Sequence, residues 1–151
     1  MKLSKSELSY ARKSKVAHLA TVDSEGNPHL VPVVFAATRD SIYLVVDRKT
    51  KKKSILRRLE NIVQNGKASF LIDKYSEDWS KLSYLMLSCQ AEILGPGKFQ
   101  EEKKQAARLF KRKYSQYSNG KYFPSDLANA FFVRLLPPKA IFWQNLHHSV
   151  V

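Results

Sequence analysis

Residues 45–54 read Val-Val-Asp-Arg-Lys-Thr-Lys-Lys-Lys-Ser and gather the side chains best suited to hold an anion. An apolar, β-type segment (residues 42–46) runs into this basic cluster. A helical pattern follows at once, with Ile55, Leu56, Leu59, Ile62 and Val63 at helical spacing. A strand therefore delivers ammonium and hydroxyl groups to the start of a helix. That start also offers unpaired N–H groups and the positive end of a dipole. Lysines in a first helical turn oppose the dipole, and Lys51, Lys52 and Lys53 are easier to accommodate if a phosphate sits among them. A solvated basic loop is the competing reading, and this stretch alone leaves both open.

Other chemistries find little support. His18 and His29 fall in separate predicted strands, His147 and His148 in a predicted tail, and Cys89 has no partner spacing, so no metal site is expected. The sequence has no nucleophile elbow, Walker loop or dinucleotide glycine fingerprint. Cys89 reads as a small buried hydrophobe. With no general base or nucleophile in view, catalysis would have to draw on a bound cofactor.

The elements that must position the basic run follow in order. Residues 3–14 form an amphipathic helix with Ser4 and Glu7 at capping-box spacing. Residues 15–21 and 30–37 form a hairpin around Asp23-Ser24-Glu25-Gly26-Asn27-Pro28. Pro32 cannot donate to a ladder, which assigns it to an edge or a bulge. Residues 42–46 make the third strand, and the next helix stops at Asn65-Gly66, a pair suited to a left-handed cap. Residues 67–73 make the fourth strand and residues 82–94 a long fifth. A helix spans 99–117, with Ala106, Phe110 and Tyr114 on one side and basic residues opposite. Residues 129–136 and 139–143 close the fold as two strands, or as one interrupted at Pro137-Pro138. Six antiparallel strands with few helices predict a mainly β protein with flanking helices, a closed or partly split β-barrel. No repeat, linker or composition shift divides it, so residues 1–151 are expected to form a single domain.

Composition bounds the partners. A chain of 151 residues, 44% hydrophobic, suits a packed core. One cysteine fits a reducing cytosol, and the sequence shows neither a signal peptide nor an apolar stretch near the roughly 20 residues of a membrane helix. A cytoplasmic protein without a membrane partner is expected. The net charge of +13 predicts attraction to polyanions or phosphorylated and carboxylated small molecules.

Particular segments carry a family resemblance. Residues 17–23, Ala-His-Leu-Ala-Thr-Val-Asp, and residues 26–33, Gly-Asn-Pro-His-Leu-Val-Pro-Val, resemble the opening hairpin of the pyridoxamine-phosphate-oxidase-like split barrels. Val46-Asp47-Arg48-Lys49-Thr50-Lys51 is similar to that family's phosphate-binding turn. Residues 73–82, Asp-Lys-Tyr-Ser-Glu-Asp-Trp-Ser-Lys-Leu, resemble the acidic, Trp-bearing loop of the subgroup that uses the deazaflavin coenzyme F-420. The similarity runs from about residue 10 to residue 145. It implies a six-stranded antiparallel split β-barrel of FMN-binding type, working as a homodimer with two cofactor sites at the subunit interface. It further implies an oxidoreductase in which FMN or F-420 transfers a hydride to or from a small organic substrate.

Carried onto this chain, the resemblance gives Lys49, Thr50 and Lys51 the phosphate, with Lys53 in support. It lays Val31, Pro32 and Val33 against the ring system, with Val46 and Asp47 beside it. Trp79 and Tyr84 would come from the partner subunit, and Trp143 could close the pocket. The position of Tyr84 is often tryptophan in that subgroup. The vitamin-producing oxidase is a poor match, since its substrate-phosphate arginines have no counterpart where this chain reads Phe142-Trp143-Gln144-Asn145-Leu146. Two alternatives remain. One is a non-catalytic FMN, F-420 or haem-binding protein. The other is a nucleic-acid-binding module, disfavoured because many of the tyrosines and phenylalanines fall at core-like positions.

Overall fold

The computed structural model describes residues 1–46 and 52–145, and for residues 52–56 and Pro138 the backbone alone. Strands β1 (Ala17–Val22), β2 (Pro28–Val33), β3 (Ala36–Ala37), β4 (Ile42–Val45), β5 (Lys67–Lys74), β6 (Ser83–Leu94) and β7 (Phe132–Gln144) make one antiparallel sheet. Its order is β2-β1-β5-β6-β7-β4-β3. Helix α1 (Lys5–Lys13) precedes the sheet, α2 (Lys52–Asn65) links β4 to β5, and α3 (Gln100–Lys113) with the short α4 (Ser115–Ser118) links β6 to β7.

Among the described residues the sheet has seven strands, not six. The expected second strand, 30–37, divides because its two parts pair at opposite ends of the sheet: β2 with β1, β3 with β4. Only Val34 and Phe35 lie between Val33 and Ala36, three Cα–Cα steps with a reach of roughly 10 Å. The two edges of a seven-strand order must therefore lie close together, and the sheet curls into a half-barrel. The crossing exposes the N–H and C=O of Phe35, and the Tyr114 hydroxyl meets both, each at 3.1 Å.

The other elements follow from local causes. The Ser4 hydroxyl accepts from the Glu7 N–H and the Glu7 carboxylate from the Ser4 N–H, completing the expected capping box. In the β1–β2 turn, one Asp23 oxygen accepts from the N–H groups of Glu25 and Asn27, both at 2.9 Å. Gly66 ends α2 at φ +68°, donates to the Ile62 carbonyl and accepts from the Ala91 N–H. Pro32 lies on β2, an edge strand, as a residue without an N–H requires.

The closing segment is one strand. Its register against β6 shifts between Ser88 and Gln90, so Pro137 and Pro138 together face Cys89. Two prolines have no N–H to offer a ladder, and the bulge leaves both outside it. Cys89 is buried at 4% exposure, as its sequence context predicts, and burial pushes its thiol up to about 12.

The helix expected over 99–117 breaks at Tyr114, which is extended between α3 and α4. Nor is every basic residue of α3 on its wet face. Lys103 shares a stripe with Ala106 and Phe110 and is fully buried, its ammonium donating to the carbonyls of Gly95 and Ala130.

Among the described residues, two apolar clusters hold the protein together. The first fills the barrel with Leu19, Phe70, Leu85 and Leu87, plugged by Leu3, Leu8 and Ala11 from the N-terminal segment. The second lies beneath α3 and α4 and includes Phe110, Tyr117, Phe123 and Phe132. Strand β4 feeds both, with Ile42 and Leu44 in the first and Tyr43 in the second, which accounts for its unbroken apolar run.

Candidate functional site

The strand-to-helix corner read from the sequence exists: β4 ends at Val45 and α2 begins at Lys52. Half-buried Val46 fastens the corner, its N–H donating to the Phe131 carbonyl at 3.1 Å. Asp47, Lys49, Thr50 and Lys51 lie outside the described residues. Lys53 belongs to the first turn of α2, where the backbone alone is described.

The period-two geometry of β2 divides its three candidates. Val33 is buried in the barrel and Val31 packs partly against the same core. Pro32 points to the outer face and is exposed. A planar ligand beside this strand would thus meet Pro32 on one face, or the strand's backbone at its free edge.

The three remaining candidates form a group. Trp79 opens a single 3-10 turn, Trp79–Lys81, capped by Asp78, whose carboxylate accepts from the Ser80 N–H at 3.1 Å and the Ser80 hydroxyl at 2.6 Å. Hydrogen bonds from Ser80 and Lys81 hold the Asp78 carboxyl below its usual range. The Asn145 amide ties the turn to the end of β7 by donating to the Trp79 carbonyl at 2.7 Å. The Trp79 residue is 66% exposed. Tyr84 and Trp143 are directly opposite each other on β6 and β7 and stack, with centroids 5.7 Å apart and planes at 24°. Trp143 is 41% exposed. A loop-borne indole and a stacked cross-strand pair thus stand at one end of β6–β7.

That end is far from the basic corner of the same chain. Val45 pairs with Phe132 at one end of β7, and Trp143 lies near the other. At roughly 3.3 Å per residue, the strand separates them by about 35 Å. Trp143 therefore belongs with Trp79 and Tyr84, and any copy of the chain that supplies one supplies all three. Between this group and Pro32, the outer sheet face carries Met86 and Ile141 as a cross-strand pair, with Leu30 further out at 66% exposure.

One feature of this face is absent from the sequence reading. His18, register partner of Pro32, has Nδ1 3.7 Å from the Asp73 carboxylate of β5. The signal was available in the spacing of two neighbouring strands, but the β1–β5 register was not. Among the described residues no group of three or more His, Cys, Asp and Glu could hold a metal ion. Among the same residues, no helix is long and apolar enough to cross a membrane.

The curled antiparallel sheet, with its two edges drawn together by the crossing from Val33 to Ala36 and helices between its strands, defines a split-barrel protein. The chain belongs to the pyridoxamine 5'-phosphate oxidase family, whose sequence pattern matches residues 5–147. It is 29% identical over 73 residues to the 5a,11a-dehydrotetracycline/5a,11a-dehydrooxytetracycline reductase of Streptomyces rimosus. That match covers 48% of this chain and spans about half of the reductase's length (50%). Among solved structures, the heme storage protein HutZ from Vibrio cholerae superposes with a TM-score of 0.67 at 18% identity, covering 95% of each chain. An FAD-binding protein from Mesorhizobium loti does so with a TM-score of 0.62 at 20% identity, covering 93% of this chain and 94% of the other. At these identities the likeness extends to the fold alone.

Proposed function

We propose that this chain is an oxidoreductase that binds FMN or coenzyme F-420 at the interface of a homodimer and transfers a hydride to or from a small organic substrate. The observation that carries this reading is the division of the candidate residues. An anion-suited corner and an exposed aromatic group stand about 35 Å apart along β7, so one chain cannot close a pocket from both. A two-fold pair of chains can, because the aromatic group of each copy can be brought to the basic corner of the other. The reductase from Streptomyces rimosus and the FAD-binding relative in fold favour redox chemistry on such a frame.

The residue types suit such a cofactor. Lys49, Thr50 and Lys51, with the first N–H groups of α2, would hold its phosphate, each charge-assisted bond contributing about 1.5–3 kcal/mol. Pro32 and Val46 would border the ring, and Trp79, Tyr84 and Trp143 of the second copy would cover it and exclude water. The cofactor itself would supply the hydride chemistry. The surplus of lysine suits the acidic tail of F-420 better than FMN, which has none. A non-catalytic haem carrier is the second reading, favoured by His18 with a carboxylate beside it on the outer face.

The spectrum of protein purified from its native host separates the three cofactors, and titration with FMN, F-420 and haem measures each. One flavin-type cofactor is expected to saturate, and Lys49→Ala or Lys51→Ala to weaken it about ten-fold or more. Saturation by haem alone would move the assignment to the carrier. A steeply salt-dependent oligonucleotide affinity with no cofactor uptake would move it to a nucleic-acid module.

A further inference from the structure

Helices α1 and α3 end against one another, each capped by a lysine of the other's neighbourhood. The Lys113 ammonium donates to the Ala11 carbonyl in the last turn of α1, at 3.1 Å. The Lys15 ammonium donates to the carbonyl of Lys113 at the end of α3. Two adjoining clefts open at this junction, of about 710 and 380 Å³. Arg12, Lys15, Lys111, Arg112 and Lys113 line them.

Helix dipoles explain only part of this charge. Each C-terminus presents roughly half a negative charge, about one for the pair. Arg12, Lys15, Lys111 and Arg112 with a partly charged Lys113 therefore leave about three to four charges unmatched, and among the described residues none of the five is in an ion pair. Lys113 is drawn inward, 3.5 Å from the centre of the Phe35 ring, and Lys15 stands 5.3 Å from that of Tyr114. Desolvation, with Lys15 nearby, pulls the Lys113 ammonium down to about 7. The rest of the larger cleft is largely apolar or aromatic, with Val16, Val34, Tyr114 and Tyr122 among its walls. Val16 is 53% exposed.

We infer that the α1–α3 junction binds an organic anion, a carboxylate or phosphate borne on an aromatic or apolar body. The anion lies among Arg12, Lys15, Arg112 and Lys113, and the body rests on Val16, Val34 and the tyrosines. This site shares no residue with the one assigned to the cofactor and does not depend on it. Charge supplies the attraction, and the apolar wall separates an organic anion from a bare inorganic one.

Calorimetric titration of the cofactor-free protein tests it with phenyl phosphate, benzoate, inorganic phosphate and phenol. One of the two aromatic anions is expected to bind at least ten-fold more tightly than both phenol and inorganic phosphate, and which one does so tells phosphate from carboxylate. Arg12→Gln with Arg112→Gln, both at exposed positions, should weaken it about ten-fold with an unchanged circular-dichroism spectrum. Lys113→Met should weaken it and abolish proton uptake on binding near pH 8, read in buffers of different ionisation enthalpy. Flavin titrations of the double variant should match wild type, so failure here and failure of the cofactor reading are distinguishable. Equal affinity for phenol and both aromatic anions, or for wild type and the double variant, overturns the inference.

Discussion

Lys113 shows how a residue's partners decide its chemistry. Its folded pKa, about 7, lies below the ordinary lysine value of 10.5, chiefly through burial and then through Lys15. Between those values the unfolded chain binds more protons, so stability rises with pH from about 7 toward 10. The groups facing Lys113 in this window are Arg12 from α1, Lys15 before β1, and Arg112 and Tyr114 from its own segment. Urea titrations at pH 7 and 9 should give the higher midpoint at pH 9, and Lys113→Met should flatten the difference. Tyr114 acts differently, because its hydroxyl serves the crossing backbone rather than solvent. Burial raises its pKa to about 12, against the hydrogen bond with Phe35. Tyr114→Phe leaves the Phe35 N–H without this acceptor and should cost about 1–3 kcal/mol in urea denaturation.

The elements carry out what their punctuation requires. Gly66 ends α2 in the left-handed region, and a Cβ there would meet nothing closer than 3.9 Å. Space is therefore no obstacle, and Gly66→Ala isolates the backbone term, about 1–2 kcal/mol by chemical denaturation. The strand β7 continues through two prolines because the bulge opposite Cys89 removes them from the ladder. By keeping β7 continuous, the bulge holds Trp143 in register with Tyr84 at the far end.

The assembly is where the proposed function stands or falls. The outer face of the sheet exposes Leu30, Ile141 and Trp143 in a single chain. Such a face across an otherwise alternating sheet is suited to a second copy. Ile141→Glu should shift the protein to half its mass in light scattering and lower its affinity for the cofactor, with its far-ultraviolet spectrum retained. A wild-type protein that is monomeric at micromolar concentration would contradict a cofactor pocket built between protomers.

Local chemistry is written in the sequence wherever cause and effect are a few residues apart. Ser4 with Glu7, the turn over residues 23–28, Gly66 after Asn65 and the long strand β6 could all be read directly, as could the strand leading into α2. The division of residues 30–37 into two edges of one sheet could not, nor the break at Tyr114, the burial of Lys103 or the meeting of α1 with α3. Each depends on a contact between distant segments, such as Lys113 with Ala11 or Tyr114 with Phe35. A periodic pattern tells which side of an element is apolar, and only packing decides what that side meets.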